Sequence, residues 1–304
     1  EELEPHGLTI LSRRDLSPAD RKYLARSFSQ ELEMVLSPLA LDGEAPPPLL
    51  PALQVICIFD VSSRAGSSLV AVPIPSAHGR FVRLPGEEDR LLPVEQLVAD
   101  NASRLFPECS IEEVATIRIT RNAEVELRED EAPNLMTEVE RMVRHRRRRA
   151  PVCLEVEGSV SEGMMERLGR ALQLEAALVH HCPGPVGLAD LFELLSLGGY
   201  SSLRDPEWPP QRSAALPSGS DLWEVLSGGD VMLFHPYESF AHVVEMLEAA
   251  SGDPEVLAIK QTLYRTGSDS PIIAALERAA HAGKQVTVLV ELKARFDEKR
   301  NVDW

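Results

Sequence analysis

The spacing of apolar side chains changes character along this chain. Between Asp20 and Leu39 the residues Tyr23, Leu24, Phe28, Leu32, Val35 and Leu36 recur at a broken helical period, which predicts a helix in the second half of residues 1–40. Strand patterns follow at Leu53–Asp60, Ser68–Pro73 and, more weakly, Arg80–Leu84. The run ATIRIT at Ala115–Thr120 alternates, as does PVCLEVE at Pro151–Glu157. Helices are predicted at about Pro133–Arg146 and over 161–173. Residues 203–222 are dense in Pro, Ser and Gly, and the pattern on their far side is different. There Val231–Phe234 and Val256–Lys260 read as short apolar strands, and Val286–Glu291 as a β-branched run suited to a buried parallel strand. A helix at Ser239–Ala250 would bury Phe240, Val243, Val244 and Leu247. The next helix has Ser270 as N-cap, Pro271 at its first position and Gly283 as C-cap, with Ile272, Leu276, Ala279 and Ala280 as its buried stripe. Strand, helix and strand together have the size of a βαβ crossover, so the fold class expected is α/β: an α+β first part, then the opening of a parallel-sheet domain.

Composition narrows the function classes. The 304 residues carry 48 acidic and 31 basic side chains, a net charge of −17, which argues against a nucleic-acid binder. No apolar run approaches the ~18 residues of a membrane span. Four scattered cysteines (Cys57, Cys109, Cys153, Cys182) show no CxxC spacing and fit a reducing compartment such as the cytoplasm. Residues 227–304 hold only 12 acidic and 8 basic groups, so the acidic excess lies mainly upstream.

Two loops carry the chemistry of interest. Gln261–Ser270 leaves the carboxyl end of one predicted strand and Leu292–Arg300 that of the next, where open α/β sheets bind ligands. Arg265 and Arg295 could therefore converge on one anion, with Thr266, Gly267 and Ser268 allowing close backbone approach ahead of a helix N-terminus. Guanidinium forks match phosphate oxygens. The other reading pairs both arginines with carboxylates such as Glu291, Asp269 or Asp297. The run Arg141–Arg149 fits either the positive end of a helix or a polyanion patch. His180-His181-Cys182 lacks further ligands at metal spacing, and His235 suits a cap or packing role as well as a cleft. No His-x-Lys pair, Walker A loop, GxSxG or HExxH occurs, so no nucleophile is identifiable.

The motifs themselves resemble a known family. DVMLFHPYESF (Asp230–Phe240), VLAIKQTLYRTGSDSPI (Val256–Ile272) and GKQVTVLVELKARFDE (Gly283–Glu298) are similar to the most distinctive runs of polyphosphate kinases of the histidine-phosphorylated class. LSPLALD (Leu36–Asp42), ITRNAEVE (Ile119–Glu126) and PVCLEVE are similar to that family's middle, or head, domain. The resemblance implies a head domain over 1–215 and the truncated start of the first phospholipase-D-like catalytic domain over 222–304. It implies reversible transfer of the terminal phosphate of ATP to inorganic polyphosphate through a phosphohistidine, with Mg²⁺, in a cytoplasmic homo-oligomer.

It further implies that Arg265 and Arg295 are the Mg²⁺–phosphate-associated residues. A hard cation takes oxygen ligands, so both arginines would hold phosphate oxygens that in turn hold the metal. The family's nucleophilic histidine, in its His-x-Lys context, is expected beyond Trp304. EAPPPLL (44–50) stands where the family has an HPFP-like stretch. Two other classes remain open: a non-catalytic phosphate-binding or dimerisation module on the same scaffold, and a phospholipase-D-like phosphodiesterase. A single His-x-Lys in following sequence marks the kinase, its absence the module, and a paired His-x-Lys-x₄-Asp the diesterase.

Overall fold

The structure is a computed structural model that describes residues 3–42, 48–64, 66–122, 136, 137, 139, 150–267, 270–294 and 297–303. The chain forms two compact units, Glu1–Val125 with Arg144–Leu203, and Glu126–Val143 with Arg204–Trp304.

The first unit is organised by one strand. After β1 (Leu8–Ile10), α1 (Pro18–Ser27) and β2 (Leu39–Ala40) comes β3 (Val55–Ser63), followed by β4 (Gly66–Pro73), β5 (Phe81–Arg83), β6 (Asp89–Pro93), α2 (Val94–Asp100) and β7 (Ser110–Arg121). β8 (Pro151–Glu157), α3 (Glu162–Leu172) and β9 (Val179–Cys182) complete the unit's larger elements. Six strands form one sheet in the order β2-β4-β3-β7-β8-β9, antiparallel except for the parallel β8–β9 pair. Successive side chains of a strand face opposite sides. Val55, Cys57, Phe59 and Val61 therefore enter one core with Leu24, Phe28, Leu32 and Leu97, while Ile56 and Ile58 enter a second core with Ile117, Leu154, Met164 and Leu168. Because β3 is covered on both faces, its sequence is a nearly unbroken apolar run rather than an alternation.

Helix ends follow local chemistry. Ser17 and Asp20 make a reciprocal capping box at the start of α1, and the Asp20 carboxylate is also held by both terminal nitrogens of Arg90 at 3.0 and 2.8 Å. The Ser161 hydroxyl caps α3 by accepting the Met164 N–H. A three-stranded sheet, β1-β6-β5, pairs β1 and β6 in parallel. Neither β1, β6 nor β9 is signalled in the sequence, since none offers more than a few alternating positions.

The second unit contains α4 (Leu222–Gly228), α5 (Ala241–Gly252), β10 (Ala258–Leu263), α6 (Pro271–His281), β11 (Gln285–Val290) and α7 (Glu298–Asp303). β10 and β11 are parallel, with Leu247 and Ala250 of α5 and Ala275, Leu276 and Ala279 of α6 packed against Ile259 and Leu263. α6 ends in a Schellman motif: Gly283 sits at φ +82°, the Lys284 N–H donates to the Ala279 carbonyl, and the Gly283 N–H donates to that of Ala280.

Four elements depart from what their sequence pattern predicts. Val231–Phe234 is not a strand. No strand among the described residues lies beside it, Met232 and Phe234 are exposed, and without a ladder partner an extended run has no sheet. α5 buries His242, Leu247, Ala250 and Ser251 rather than Phe240, because the helix begins at Ala241 and its stripe is rotated accordingly. In α6, Ala275 takes the buried place expected of Ala280. β11 lies at the edge of its sheet, with Leu289 exposed, although its composition reads as an interior strand. The helix expected at about 133–146 and the run Arg141–Arg149 fall almost wholly outside the described residues.

Candidate phosphate site at the strand ends

The register of β10 and β11 sets the site. Ala258 pairs with Gln285 and Leu263 with Val290, so the two strands finish level and their outgoing loops start on the same edge. The Glu291 N–H donates to the Leu263 carbonyl at 3.0 Å, one step past the last residue pair. Arg265 is the second residue beyond β10. It is exposed, and its guanidinium carbon lies 5.3 Å from the centre of the Tyr264 ring, within cation–π range. Thr266 follows with its Oγ1 buried and without a hydrogen-bond partner. Gly267 has φ +76°, a left-handed conformation that favours glycine. Ser270 is buried as the N-cap residue of α6, and its side chain makes no capping bond.

The second loop is held from behind. Asn301 in α7 is buried, and its amide nitrogen donates to the carbonyls of Tyr264 and Glu291, each at 2.8 Å. Of the carboxylates proposed as partners for the arginines, Glu291 accepts the Lys293 N–H and Asp297 accepts from Arg300, both within the same loop and helix. Arg295 lies outside the described residues, as do Ser268 and Asp269. Asn301 carries no signal in the sequence, because its role depends on two carbonyls that are remote along the chain.

Other polar clusters have different characters. Arg80 is buried in the first unit beside a cleft of about 300 Å³, where it is held by Glu95, Asp190 and the Val186 carbonyl. Burial pushes the Glu95 carboxyl above its ordinary value despite the neighbouring guanidinium. Arg167 is tied to Asp42 and Asp60, which accounts for Asp42 at the end of LSPLALD. In the second unit His242 accepts the Ser213 N–H through Nε2, while Arg212 and Glu245 form a two-pronged pair beside it. His235 contacts the Glu238 carbonyl and the Phe240 ring.

No group of three or more His, Cys, Asp or Glu side chains arranged for a metal exists among the described residues. A guanidinium offers no oxygen to a hard cation. The described residues do not by themselves form a Mg²⁺ site.

Residues 19–194 match the model of the polyphosphate kinase middle domain, and residues 221–304 match that of polyphosphate kinase C-terminal domain 1. The chain belongs to the polyphosphate kinase family. It is 39% identical to a polyphosphate kinase of Mycolicibacterium gilvum over 99% of its own length and 43% of the relative's. It is 36% identical to polyphosphate kinase 1 of Chlorobaculum tepidum, over 99% of this chain and 45% of that protein. The crystal structure of polyphosphate kinase from Porphyromonas gingivalis has the same fold, with a TM-score of 0.77 at 24% identity, over 99% of this chain and 44% of that one. This polyphosphate kinase family member thus spans less than half the length of these relatives. No helix among its described residues is long and apolar enough to cross a membrane.

Proposed function

We propose that this chain is part of an ATP:polyphosphate phosphotransferase, and that Arg265 and Arg295 bind phosphate oxygens of its substrates. The observation that carries the reading is the level finish of β10 and β11, which sends both arginine-bearing loops off one sheet edge. The reaction proposed is in-line attack of a histidine nitrogen on the terminal phosphorus of ATP, forming a P–N bond as the bond to ADP breaks. The phosphoryl group then passes to the terminal oxygen of a polyphosphate chain, and the sequence runs in reverse as well. Such a transfer needs positioning and neutralisation of charge on the phosphoryl oxygens, which arginines supply. Arg265 and Arg295 offer a Mg²⁺ ion no oxygen ligand, so a metal used in the reaction would have to be held by oxygens other than theirs. His-x-Lys does not occur in residues 1–304, so the nucleophile is proposed to come from sequence outside them. Homo-oligomerisation, a cytoplasmic location and the division into 1–215 and 222–304 are part of the same proposal.

The test is paired. Incubated with ATP and Mg²⁺, the chain by itself is expected to acquire no acid-labile phosphate. Titrated with short polyphosphate at low salt, it is expected to bind, with about tenfold weaker binding in Arg265→Ala and in Arg295→Ala, and with affinity falling as salt rises. Phosphorylation of the chain would relocate the nucleophile. Unchanged binding in both variants would move the phosphate site elsewhere, first to Arg141–Arg149.

A further inference from the structure

We infer that Asn301 is the positioning residue of the phosphate site, a side-chain clamp that sets the direction in which the Arg265 loop leaves the sheet. The inference rests on the phosphate reading above and deepens it.

In a parallel pair, alternate carbonyls of each strand are oriented by N–H groups of its neighbour. The last residue pair is Leu263–Val290, and the last bond between the strands runs from the Glu291 N–H to the Leu263 carbonyl. The next carbonyls, of Tyr264 and Glu291, are both taken by one amide nitrogen, that of Asn301. A side chain from the following helix thus ties the strands together where the sheet itself no longer does.

The Tyr264 carbonyl belongs to the peptide plane that ends in the Arg265 N–H. Holding that oxygen fixes the plane from which Arg265 starts, and so limits the directions open to its guanidinium. The Glu291 carbonyl likewise begins the loop that leads to Arg295.

Chemistry leaves little choice of residue. Both partners are carbonyls and can only accept, so the group facing them must donate to both, which one amide nitrogen does with its two hydrogens. This also assigns the amide orientation, because the flipped form would set oxygen against two oxygens. Aspartate has the same shape and no donor when ionised. Alanine leaves both carbonyls without this partner. Asn301 is buried with Ala294 and Glu298 near it along the chain, so water does not readily replace the amide.

The test uses this chain, tripolyphosphate as probe, and isothermal titration at low salt. Asn301→Ala and Asn301→Asp are made singly and in an Arg265→Ala background, with circular dichroism to confirm the fold. Each single Asn301 variant is expected to weaken binding about tenfold, and to add less than about twofold once Arg265 is gone, since both changes remove one coupled effect. Asn301→Asp is expected to regain affinity relative to wild type as pH falls from 8 to 5, because a protonated carboxyl can donate to one carbonyl and burial raises its pKa. Two results overturn the clamp alone. One is weakened binding in Arg265→Ala with no effect of either Asn301 variant, or an equal effect in both backgrounds. The other is loss of the fold in the isosteric Asn301→Asp, which would make Asn301 a packing residue. Unchanged binding in Arg265→Ala overturns the clamp and the phosphate site together.

Discussion

At the residue scale, ion pairs in the first unit differ in what they contribute with pH. Asp20 caps α1 and receives two bonds from Arg90, and that guanidinium holds its carboxyl far below the usual carboxylate range. A carboxyl with a depressed folded-state pKa adds stability that is complete above its unfolded value of roughly 3.9 and is lost as pH falls through the folded value. Asp20→Asn is therefore expected to cost about 2 kcal/mol near pH 7. The gap to wild type should shrink below about pH 4, as the wild-type carboxylate is protonated. Urea unfolding midpoints of both proteins across pH 2–7 check this, and a gap that stays constant over that range would assign the loss to the cap geometry instead. Glu95 behaves oppositely, because desolvation raises its pKa, so its contribution improves as pH falls.

At the element scale, α6 is the one whose ends are written most plainly. Pro271 and Gly283 were legible as boundary residues, since each answers a local backbone requirement: a fixed φ without a lost donor, and a left-handed turn; Ser270 stands at the N-cap position without a side-chain capping bond. A Cβ at Gly283 would meet nothing within 4 Å, so replacement there is a conformational matter and not a steric one. Gly283→Ala is expected to destabilise the chain by about 1 kcal/mol, read as a lower urea midpoint with an unchanged slope. A loss of several kcal/mol would mean that the Schellman turn supports more than the helix end. The stripe of α5 was less legible. His242 is counted polar by any hydropathy scheme, yet it is buried because Nε2 meets the Ser213 N–H, a partner 29 positions away.

At the scale of the whole molecule, residues 204–220 hold turns and an isolated bridge at Gln211 and carry no helix, and Arg204–Arg212 are exposed throughout. Brief digestion with trypsin is expected to yield a fragment beginning between residues 205 and 213, with the β10–α6–β11 unit intact within it. First cuts inside 256–291 would show that this unit is not a stable body. Leu289 of β11 is exposed, and the relatives this chain matches over almost its whole length are more than twice as long.

The amino-acid sequence by itself determined the family, the α/β class of the second unit, most strands of the first, and Arg265 with its place just past a strand. All of these rest on local signals: alternation, capping chemistry, and long motifs such as Val256–Ile272. What only the tertiary structure decided are relations between distant residues. The residue pairing of β10 with β11 decided that the strands end level. The absence of a neighbouring strand among the described residues left Val231–Phe234 unpaired. One helix side chain, Asn301, gathers the carbonyls of Tyr264 and Glu291, which lie 37 and 10 positions away. Periodicity cannot carry such information, because it reports which face of an element is apolar and not which backbone groups the folded chain brings to that face.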